Sequence, residues 1–500
     1  MRNHSLYDLL PAERVLDRLI DRVSYAADAG FYYLLPRAVV QPMNEQEIQG
    51  LFQYSQQHRI PLVFRAGGTS LSGQSITDGI LVDLSKYWNT IKIEEEGQLV
   101  RVQPGLIGAQ VNQQLKKWNR KIGPDPSSLS AARMGGILSN NASGMCCGVK
   151  DNSYHTLAEV RFILPNGKLY ATEAPNDRRR FEQECPELHQ GLLSIRERIL
   201  ATPDLLKKIT EKYQVKNTVG YSLNAFVDHA DPLDIFAHLL IGGEGTLAFI
   251  SEAVLKTVPE YPCKSTSLLL FPDISAACEA IEPLTQSGAR MIELMDRASL
   301  RVMEASKSIT ALSFTLPDQA AALLVEFQEN EAARLHQNVN AFLQKVAELS
   351  LLRAPVFTEE AKEQEVLWKL RKGLFPSVGA VRARGTTVIL EDLCFPVERL
   401  GAAIQDLQQL FQKYQYEQAI LFGHAKDGNI HFVITQSFRE ENEVARYDRF
   451  IRDVVSLVVE KYQGSLKAEH GTGRNMAPFV ETEWGGEAYA IMRSIKQWVD

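Results

Sequence analysis

The sequence predicts a mixed protein of the α+β or α/β class, built from more than one domain. Three observations carry this reading. Short apolar runs of strand character alternate with amphipathic helices and glycine-rich loops through the first half of the chain. The texture changes near residue 264, where a second series of strands with covering helices begins. At 500 residues the chain exceeds what one hydrophobic core supports, which points to about two to four domains.

Taken in order, residues 1 to 35 read as a helical lead-in, with Leu9, Leu10, Val15, Leu16, Leu19, Ile20 and Val23 at helical spacing. Ala38-Val39-Val40 is a short extended run between Pro36 and Pro42. Glu45 to His58 reads as an amphipathic helix that buries Ile48, Leu51, Phe52 and Tyr54. Pro61 to Arg65, Gly79 to Leu84 and Leu99 to Gly105 read as strands. Val160 to Leu164 and Leu169 to Thr172 flank Pro165-Asn166-Gly167, a hairpin signature. Residues 174 to 240 are charged and largely helical, and Leu247 to Val258 is extended. Pro259 to Pro262 marks a boundary. Beyond it come a strand at Ser267–Phe271, a helix at Ile274–Ser287, a strand at Ala311–Leu316 and a long helical stretch over 318–349. Ala419–Phe422 and Ile430–Ile434 form a pair of strands, and residues 444–463 and 486–499 are helical.

The bulk properties exclude several classes. A net charge of −7 argues against a general nucleic-acid surface. No apolar window reaches the roughly 18 residues of a membrane span, and residues 1–8 lack the apolar core of a secretory signal. Peripheral association with a membrane through a partner stays open. The six cysteines are scattered without a Cys-x-x-Cys pair, which favours reduced thiols in a cytoplasmic protein and leaves no iron–sulfur ligand run.

Chemistry concentrates in two places. Gly423-His424-Ala425-Lys426-Asp427-Gly428-Asn429-Ile430-His431 sets two imidazoles about a turn, and Glu469-His470-Gly471 adds a carboxylate and a third imidazole. Gly and Asn tolerate positive φ, so Asp-Gly-Asn reverses the chain and lets His424 and His431 face one another. Neutral imidazole with carboxylate suits a divalent transition metal such as zinc; the competing reading is a surface turn with two solvated histidines. Upstream, Arg65-Ala66-Gly67-Gly68-Thr69-Ser70 follows a strand and presents backbone N–H groups and hydroxyls of the kind that hold a pyrophosphate. Alone it would be a tight turn. Three further small-residue loops, Gly123–Ser128, Gly135–Gly144 and Gly242–Thr246, are hard to explain as turns and would let a large phosphate-bearing cofactor lie against backbone. No Gly-x-Gly-x-x-Gly on a strand-to-helix turn and no Gly-Lys-Ser/Thr is present, which argues against a nicotinamide or P-loop site.

With those loops, Glu244-Gly245-Thr246-Leu247, the His424–His431 segment and Glu469-His470-Gly471, the chain resembles the flavoprotein family of D-lactate dehydrogenases, the glycolate oxidase flavin subunit and D-2-hydroxyglutarate dehydrogenase. The resemblance runs from about Tyr25 to the C-terminus and narrows the class to α+β. It implies the two-subdomain FAD-binding fold of the vanillyl-alcohol oxidase type, with an α+β substrate or cap domain built on an antiparallel sheet. The expected domains are a lead-in over 1–35, an FAD-binding domain over 36–260, a substrate domain over 261–465 and a segment over 466–500 returning to the FAD domain.

The same resemblance implies site residues. Arg65, Ala66, Gly67, Gly68, Thr69 and Ser70 would hold the FAD pyrophosphate, and Gln74 and Pro104 would line the cofactor. Asp125, Ser127 and Ser128 would lie near the flavin and its ribityl chain. Gly135, Gly136, Asn140, Ser143 and Gly144 would continue the cradle, with Glu244, Gly245 and Ile250 toward the adenine. Relatives with covalent flavin often carry His where Thr69 stands, so the FAD is expected to be non-covalent. His424, His431 and Glu469 match zinc ligands, His470 the general base, Arg371 the substrate-carboxylate arginine and Asn429 a residue orienting loop or substrate. The implied reaction oxidises a D-2-hydroxy acid of the D-lactate or D-2-hydroxyglutarate class to the 2-oxo acid by hydride transfer to the flavin.

Departures from the family pattern leave the acid open. Phe432-Val433 follows His431 where many relatives have Phe/Leu-Asn, and a lysine some relatives carry before the Asp-Leu-x-x-Pro segment is not evident in Leu390–Pro396. Arg371-Lys372-Gly373-Leu374-Phe375-Pro376-Ser377 resembles the long fused members. The expectation is therefore the flavin portion of such a protein, with an iron–sulfur cluster only in a further C-terminal domain. Electrons would pass to that iron–sulfur domain or subunit, then to a quinone or cytochrome, at the inner face of the membrane or in the cytoplasm. Two rivals stand: a metallohydrolase using His424, His431 and Glu469 on water, and a flavin module without turnover. Arg382 and Arg384 read as solvated charges or substrate-steering groups, Cys146-Cys147 as packing residues and Trp368 as core.

Overall fold

The computed structural model describes residues 5–305 and 315–500. They form two compact units. The first runs to Gln214, resumes over Thr218–Glu260 and ends with Glu469–Asp500; the second comprises Val215–Asn217 and Tyr261–Ala468.

The first unit contains two sheets. Strands β1 (Val15–Leu16), β2 (Ala38–Val40), β3 (Leu62–Arg65) and β4 (Ile80–Asp83) lie in the order β1-β2-β4-β3. The β2–β4 and β3–β4 pairs are parallel, while β1 is antiparallel to β2. The crossover between β2 and β3 is the expected helix Glu45–His58; Asn44 caps it by accepting from Glu47 N–H. This helix buries Ile48, Leu51 and Phe52 with Val40, Ile80, Val82, Trp88 and Phe249. The second sheet holds β5 (Ile91–Glu94), β6 (Leu99–Val102), β7 (Arg120–Ile122), β8 (Leu157–Ile163), β9 (Leu169–Ala171) and β10 (Phe249–Pro259). Long strand β10 is its spine and pairs antiparallel with β6, β7 and β8. The β8–β9 hairpin turns at Gly167, whose φ is +82°.

The lead-in is not one helix. Residues Leu6–Leu9 and Leu19–Ser24 are short helices, but Val15-Leu16 forms β1 against Val39-Val40. Pro11 interrupts the helical pattern, and an unpaired edge of β2 accepts the β-branched Val15. Leu19, Ile20 and Val23 face solvent, so their helical spacing never described a core face.

The second unit is one sheet in the order β11-β13-β12-β15-β16-β14, with every pairing antiparallel: β11 (Cys263–Phe271), β12 (Met291–Met295), β13 (Ala321–Glu329), β14 (Thr387–Cys394), β15 (Ile420–His424) and β16 (Asn429–Gln436). One face carries an apolar core of Leu268, Leu270, Met295, Leu324, Ile420, Phe422 and Val433. The helical stretch expected over 318–349 begins instead with β13, and the helix occupies Ala332–Lys345. Ala320-Ala321-Ala322-Leu323-Leu324-Val325 is an unbroken apolar run that a central, doubly covered strand and a buried helix share. The strand expected at Ala311–Leu316 lies largely outside the described residues; Thr315 and Leu316 belong to no strand.

Candidate functional site

In the second unit the β15–β16 hairpin carries the histidine segment. A short 3₁₀ turn, Ala425–Asp427, leads to Gly428 at φ +67°, where a Cβ would lie 1.9 Å from the Phe395 carbonyl oxygen. Only glycine fits there. Register sets His424 opposite Asn429 and Phe422 opposite His431, so the two imidazoles are diagonal neighbours on one face. Their rings meet edge to face at 5.1 Å, with the Nε2 atoms 3.4 Å apart, and both residues are buried.

Each ring backs onto a buried carboxylate. His424 Nδ1 lies 2.6 Å from Glu293 Oε1, and His431 Nδ1 lies 3.3 Å from Asp392 Oδ1. The hydrogen bond to Glu293 assigns the His424 proton to Nδ1 and turns its Nε2 toward His431, whose Nδ1 contacts Asp392 as an ion pair without hydrogen-bond alignment. Two nitrogens bound tetrahedrally at about 2.05 Å stand about 3.3 Å apart, so the pair fits a divalent ion such as zinc.

Around this pair the strands bury further charge. Arg371, on the helix Ala361–Lys372, stacks its guanidinium 4.4 Å over Phe422 and places Nη2 2.6 Å from Glu293 Oε2, while its Nε has no hydrogen-bond partner. Burial opposes the charge on Glu293; His424 and Arg371 outweigh it and hold the carboxyl below its usual range. Asn429 donates to Asp392 Oδ1 at 2.7 Å and to the Leu393 carbonyl. It ties the start of β16 to Asp392, which stands behind His431. Lys216 stands 3.3 Å from Asp427, and Lys467 pairs with Glu391 at 2.8 Å, both fully buried in the latter case. Glu293, Asp392, Glu391, Lys216 and Lys467 carry no expectation from the sequence reading. The available signal is a charge inside an apolar strand, as in Met291-Ile292-Glu293-Leu294-Met295, since a buried charge is retained only where it has a partner. Trp368 borders the apolar core and donates to Glu326.

The first unit brings the glycine loops together with Glu469-His470-Gly471. The His470 carbonyl accepts from Gln74 Nε2 at 2.8 Å and Asn140 Nδ2 at 3.3 Å, and Ser143 Oγ donates to Glu469 Oε2 at 2.8 Å. Gly473 N–H donates to Glu244 Oε1 at 3.0 Å. Arg474 is a residue the sequence reading passed over. It clamps the segment to the 72–76 loop through the Gly73 and Ile76 carbonyls. Three of the four glycine-rich loops therefore hold the segment that carries the expected base. The side chain of His470 is partly exposed, its Nε2 3.8 Å from Glu469 Oε1.

The remaining expected cofactor residues divide into supports and open faces. Arg65 donates to the Ala27 carbonyl at 2.8 Å and stacks against Gly68, where a Cβ would sit 2.4 Å from Nη2; burial pulls its pKa down. Its head thus shapes the Arg65–Ser70 loop, leaving Ala66, Gly67, Thr69 and Ser70 half-buried or exposed along it. Gly135 touches Pro104 so closely that a Cβ would meet Pro104 Cβ at 2.7 Å. Asp125 accepts from the Cys146 and Cys147 amides, and a Cβ at Gly144 would strike the Asp125 carbonyl at 2.0 Å. Ser128 holds a turn by accepting from Ala131 and Ala132, Ser127 stands beside it, and Ile250 is buried on β10. At Gly136 and Gly245 a Cβ would meet nothing within 4 Å. Those two glycines face open space beside the small-residue loops, which fits a flat cofactor lying against backbone.

Residues 36–173 match the FAD binding domain family, and residues 262–500 match the C-terminal domain of FAD linked oxidases. The chain belongs to the FAD-linked oxidases. It is 27% identical over 484 residues to glycolate oxidase subunit GlcD of Bacillus subtilis, covering 96% of this chain and 90% of that one. It is 29% identical over 501 residues to D-2-hydroxyglutarate dehydrogenase of Pseudomonas putida, covering 95% of this chain but 48% of that one. It is 25% identical over 481 residues to mitochondrial D-lactate dehydrogenase [cytochrome] 1 of Saccharomyces cerevisiae, covering 93% and 70%. The chain therefore spans about half the length of the D-2-hydroxyglutarate dehydrogenases it matches. Among solved structures, p-cresol methylhydroxylase with substrate bound superposes with a TM-score of 0.68 at 13% identity, over 99% of this chain and 93% of that one. Alkyldihydroxyacetonephosphate synthase gives 0.67 at 15%, over 99% and 82%. The fold is the FAD-binding fold of the vanillyl-alcohol oxidase type joined to an α+β domain on an antiparallel sheet, and the protein is an FAD-dependent oxidoreductase. The metallohydrolase alternative gains no support from these relatives. Among the described residues no helix is long and apolar enough to cross a membrane.

Proposed function

We propose that this oxidoreductase is a D-2-hydroxyacid dehydrogenase of the D-lactate or D-2-hydroxyglutarate class, forming the 2-oxo acid. The observation that carries the reading is the His424/His431 pair, with facing Nε2 atoms 3.4 Å apart and a carboxylate behind each ring. That is a donor set for a cation in a flavoprotein, and an α-hydroxy acid is a ligand that both a cation and a flavin can act on. Bound FAD supplies the hydride acceptor. His424, His431 and Glu469 are the proposed metal ligands; the ion there supplies Lewis acidity and a template for hydroxyl and carboxylate. Arg371, held flat on Phe422 and by Glu293, offers its remaining fork to the substrate carboxylate. His470 takes the hydroxyl proton; its peptide is fixed by Gln74 and Asn140, which limits its drift. Asn429 keeps Asp392 on His431. Thr69 cannot bond the flavin as a histidine would, so the FAD is held non-covalently. Electrons then leave for an iron–sulfur centre, in a further domain or a partner subunit, and a quinone or cytochrome. Similarity to GlcD and to the D-lactate and D-2-hydroxyglutarate dehydrogenases supports this class.

The test is anaerobic stopped-flow mixing of the FAD-loaded protein with D-lactate, D-2-hydroxyglutarate, glycolate and D-malate. At least one acid is expected to bleach the flavin band; bleaching by none of them overturns the proposal.

A further inference from the structure

We infer that Glu293 is a positioning residue that aligns His424 and Arg371 at once, through the two oxygens of one carboxylate. The inference rests on the 2-hydroxyacid reading above. Glu293 stands in the middle of β12 with no solvent exposure, directly across from His424 in the β12–β15 register. An ionised carboxylate so placed is strongly destabilising unless both oxygens are engaged. Both are. Oε1 is 2.6 Å from His424 Nδ1 and Oε2 is 2.6 Å from Arg371 Nη2.

The two contacts do different things. The first keeps the proton on His424 Nδ1 and turns the Nε2 lone pair toward His431, which sets the ring for a metal ion. The second, with the Phe422 ring under the guanidinium, fixes the plane of Arg371 and consumes one edge of its fork. The Arg371 Nε stays without a hydrogen-bond partner in a side chain that is 5% exposed. A buried donor of that kind is poised for an anionic ligand. Because one rigid carboxylate serves both, the metal site and the carboxylate site cannot shift independently. The distance between the two features of an α-hydroxy acid that the site must hold, its hydroxyl and its carboxylate, is thereby set by Glu293. Aspartate is shorter by one C–C bond, about 1.5 Å, and cannot span the two partners. Glutamine offers one acceptor oxygen for two donors.

The experiment uses the FAD-loaded protein stripped with chelator. Zn²⁺ affinity is measured by competition with a chromophoric chelator, and KM and kcat are measured with the acid that bleaches the flavin. Glu293→Ala is expected to weaken Zn²⁺ binding and to raise KM, each by about 10–100-fold. Glu293→Gln and Glu293→Asp lose at least one of the two contacts and are expected to change at least one value about tenfold, with the flavin absorbance retained. A merely structural residue would lower the melting temperature and leave Zn²⁺ affinity in the folded protein unchanged. If Glu293→Ala does not fold, the Gln and Asp variants decide; wild-type Zn²⁺ affinity and wild-type KM in both overturn the inference. His424→Ala separates the two levels. Zn²⁺ affinity unchanged in that variant overturns the metal set of the proposed function and this inference with it. Loss of Zn²⁺ in His424→Ala beside wild-type values in the Glu293 variants overturns this inference alone.

Discussion

Replacing Gly471 with alanine displaces the proposed base without touching its chemistry. Gly471 has φ +78°, and a Cβ there would lie 2.5 Å from Glu244 Oε1 and 3.2 Å from Gln74 Nε2. Alanine in the left-handed region is disfavoured by about 1–2 kcal/mol. The obstruction falls on Glu244, whose Oε1 accepts from Gly473 N–H, and a hydrogen bond to a charged group is worth about 1.5–3 kcal/mol. Together these reach about 3 kcal/mol, more than the Gln74 and Asn140 contacts to the His470 carbonyl can resist, so the segment moves and His470 moves with it. A displacement of about 1 Å at a proton-transfer group lowers the rate roughly 100-fold, or about 2.7 kcal/mol of barrier. Gly471→Ala should therefore bind FAD, show an unaltered visible spectrum and reduce about 100-fold more slowly in anaerobic stopped-flow with the active acid. Wild-type reduction in a correctly folded Gly471→Ala protein would refute the claim that this loop's close approach to Glu244 holds the base in place.

Three further outcomes are expected. Acid precipitation should release the FAD into the supernatant, because Thr69 cannot anchor it; flavin retained in the pellet counts against non-covalent binding. Lys467→Met removes the buried ammonium 2.8 Å from Glu391 and should destabilise the protein by about 3–5 kcal/mol in urea, most of it recovered in Lys467→Met/Glu391→Gln; a loss under about 1 kcal/mol would contradict the pairing. Burial, reinforced by His229 stacked at 3.8 Å, lowers the pKa of His238 from 6.5 to about 4. The folded state then binds fewer protons than the unfolded state, so stability present above pH 6.5 is lost as the pH falls toward 4, by about 3 kcal/mol. His238→Gln should flatten the melting-temperature profile across that interval, and an unchanged slope would exclude His238 as its source.

Local patterns carried the reading wherever the determining forces are local. The helix Glu45–His58, with Asn44 as its cap, and the Pro165-Asn166-Gly167 hairpin follow from side-chain period, capping and turn chemistry alone. The reading failed where pairing with a distant strand decides. Val15-Leu16 is a strand because β2 offers an edge, and Ala321–Glu329 is a strand because β11 and β12 flank it. At the site, His424, His431, Glu469 and His470 stood out because histidine is scarce and the segments are short. Glu293 and Asp392 did not. Each is a single charge in an apolar run, and its importance arises from a partner 131 residues away on β15 in one case and from strand register with His431 in the other.

The placement of those charges explains why an apolar sheet tolerates so many. Around the β15–β16 hairpin, Lys216, Arg371 and Lys467 stand against Glu293, Glu391, Asp392 and Asp427, three permanent cations against four carboxylates. These seven side chains carry one excess negative charge in surroundings that penalise it. With Glu469, the third proposed ligand, the sum is two negative charges, which a divalent ion held there would cancel. A 2-hydroxy acid brings one negative carboxylate. The buried charge of the second unit thus favours a cation at the histidine pair, and in the proposed reaction the substrate carboxylate is left to Arg371.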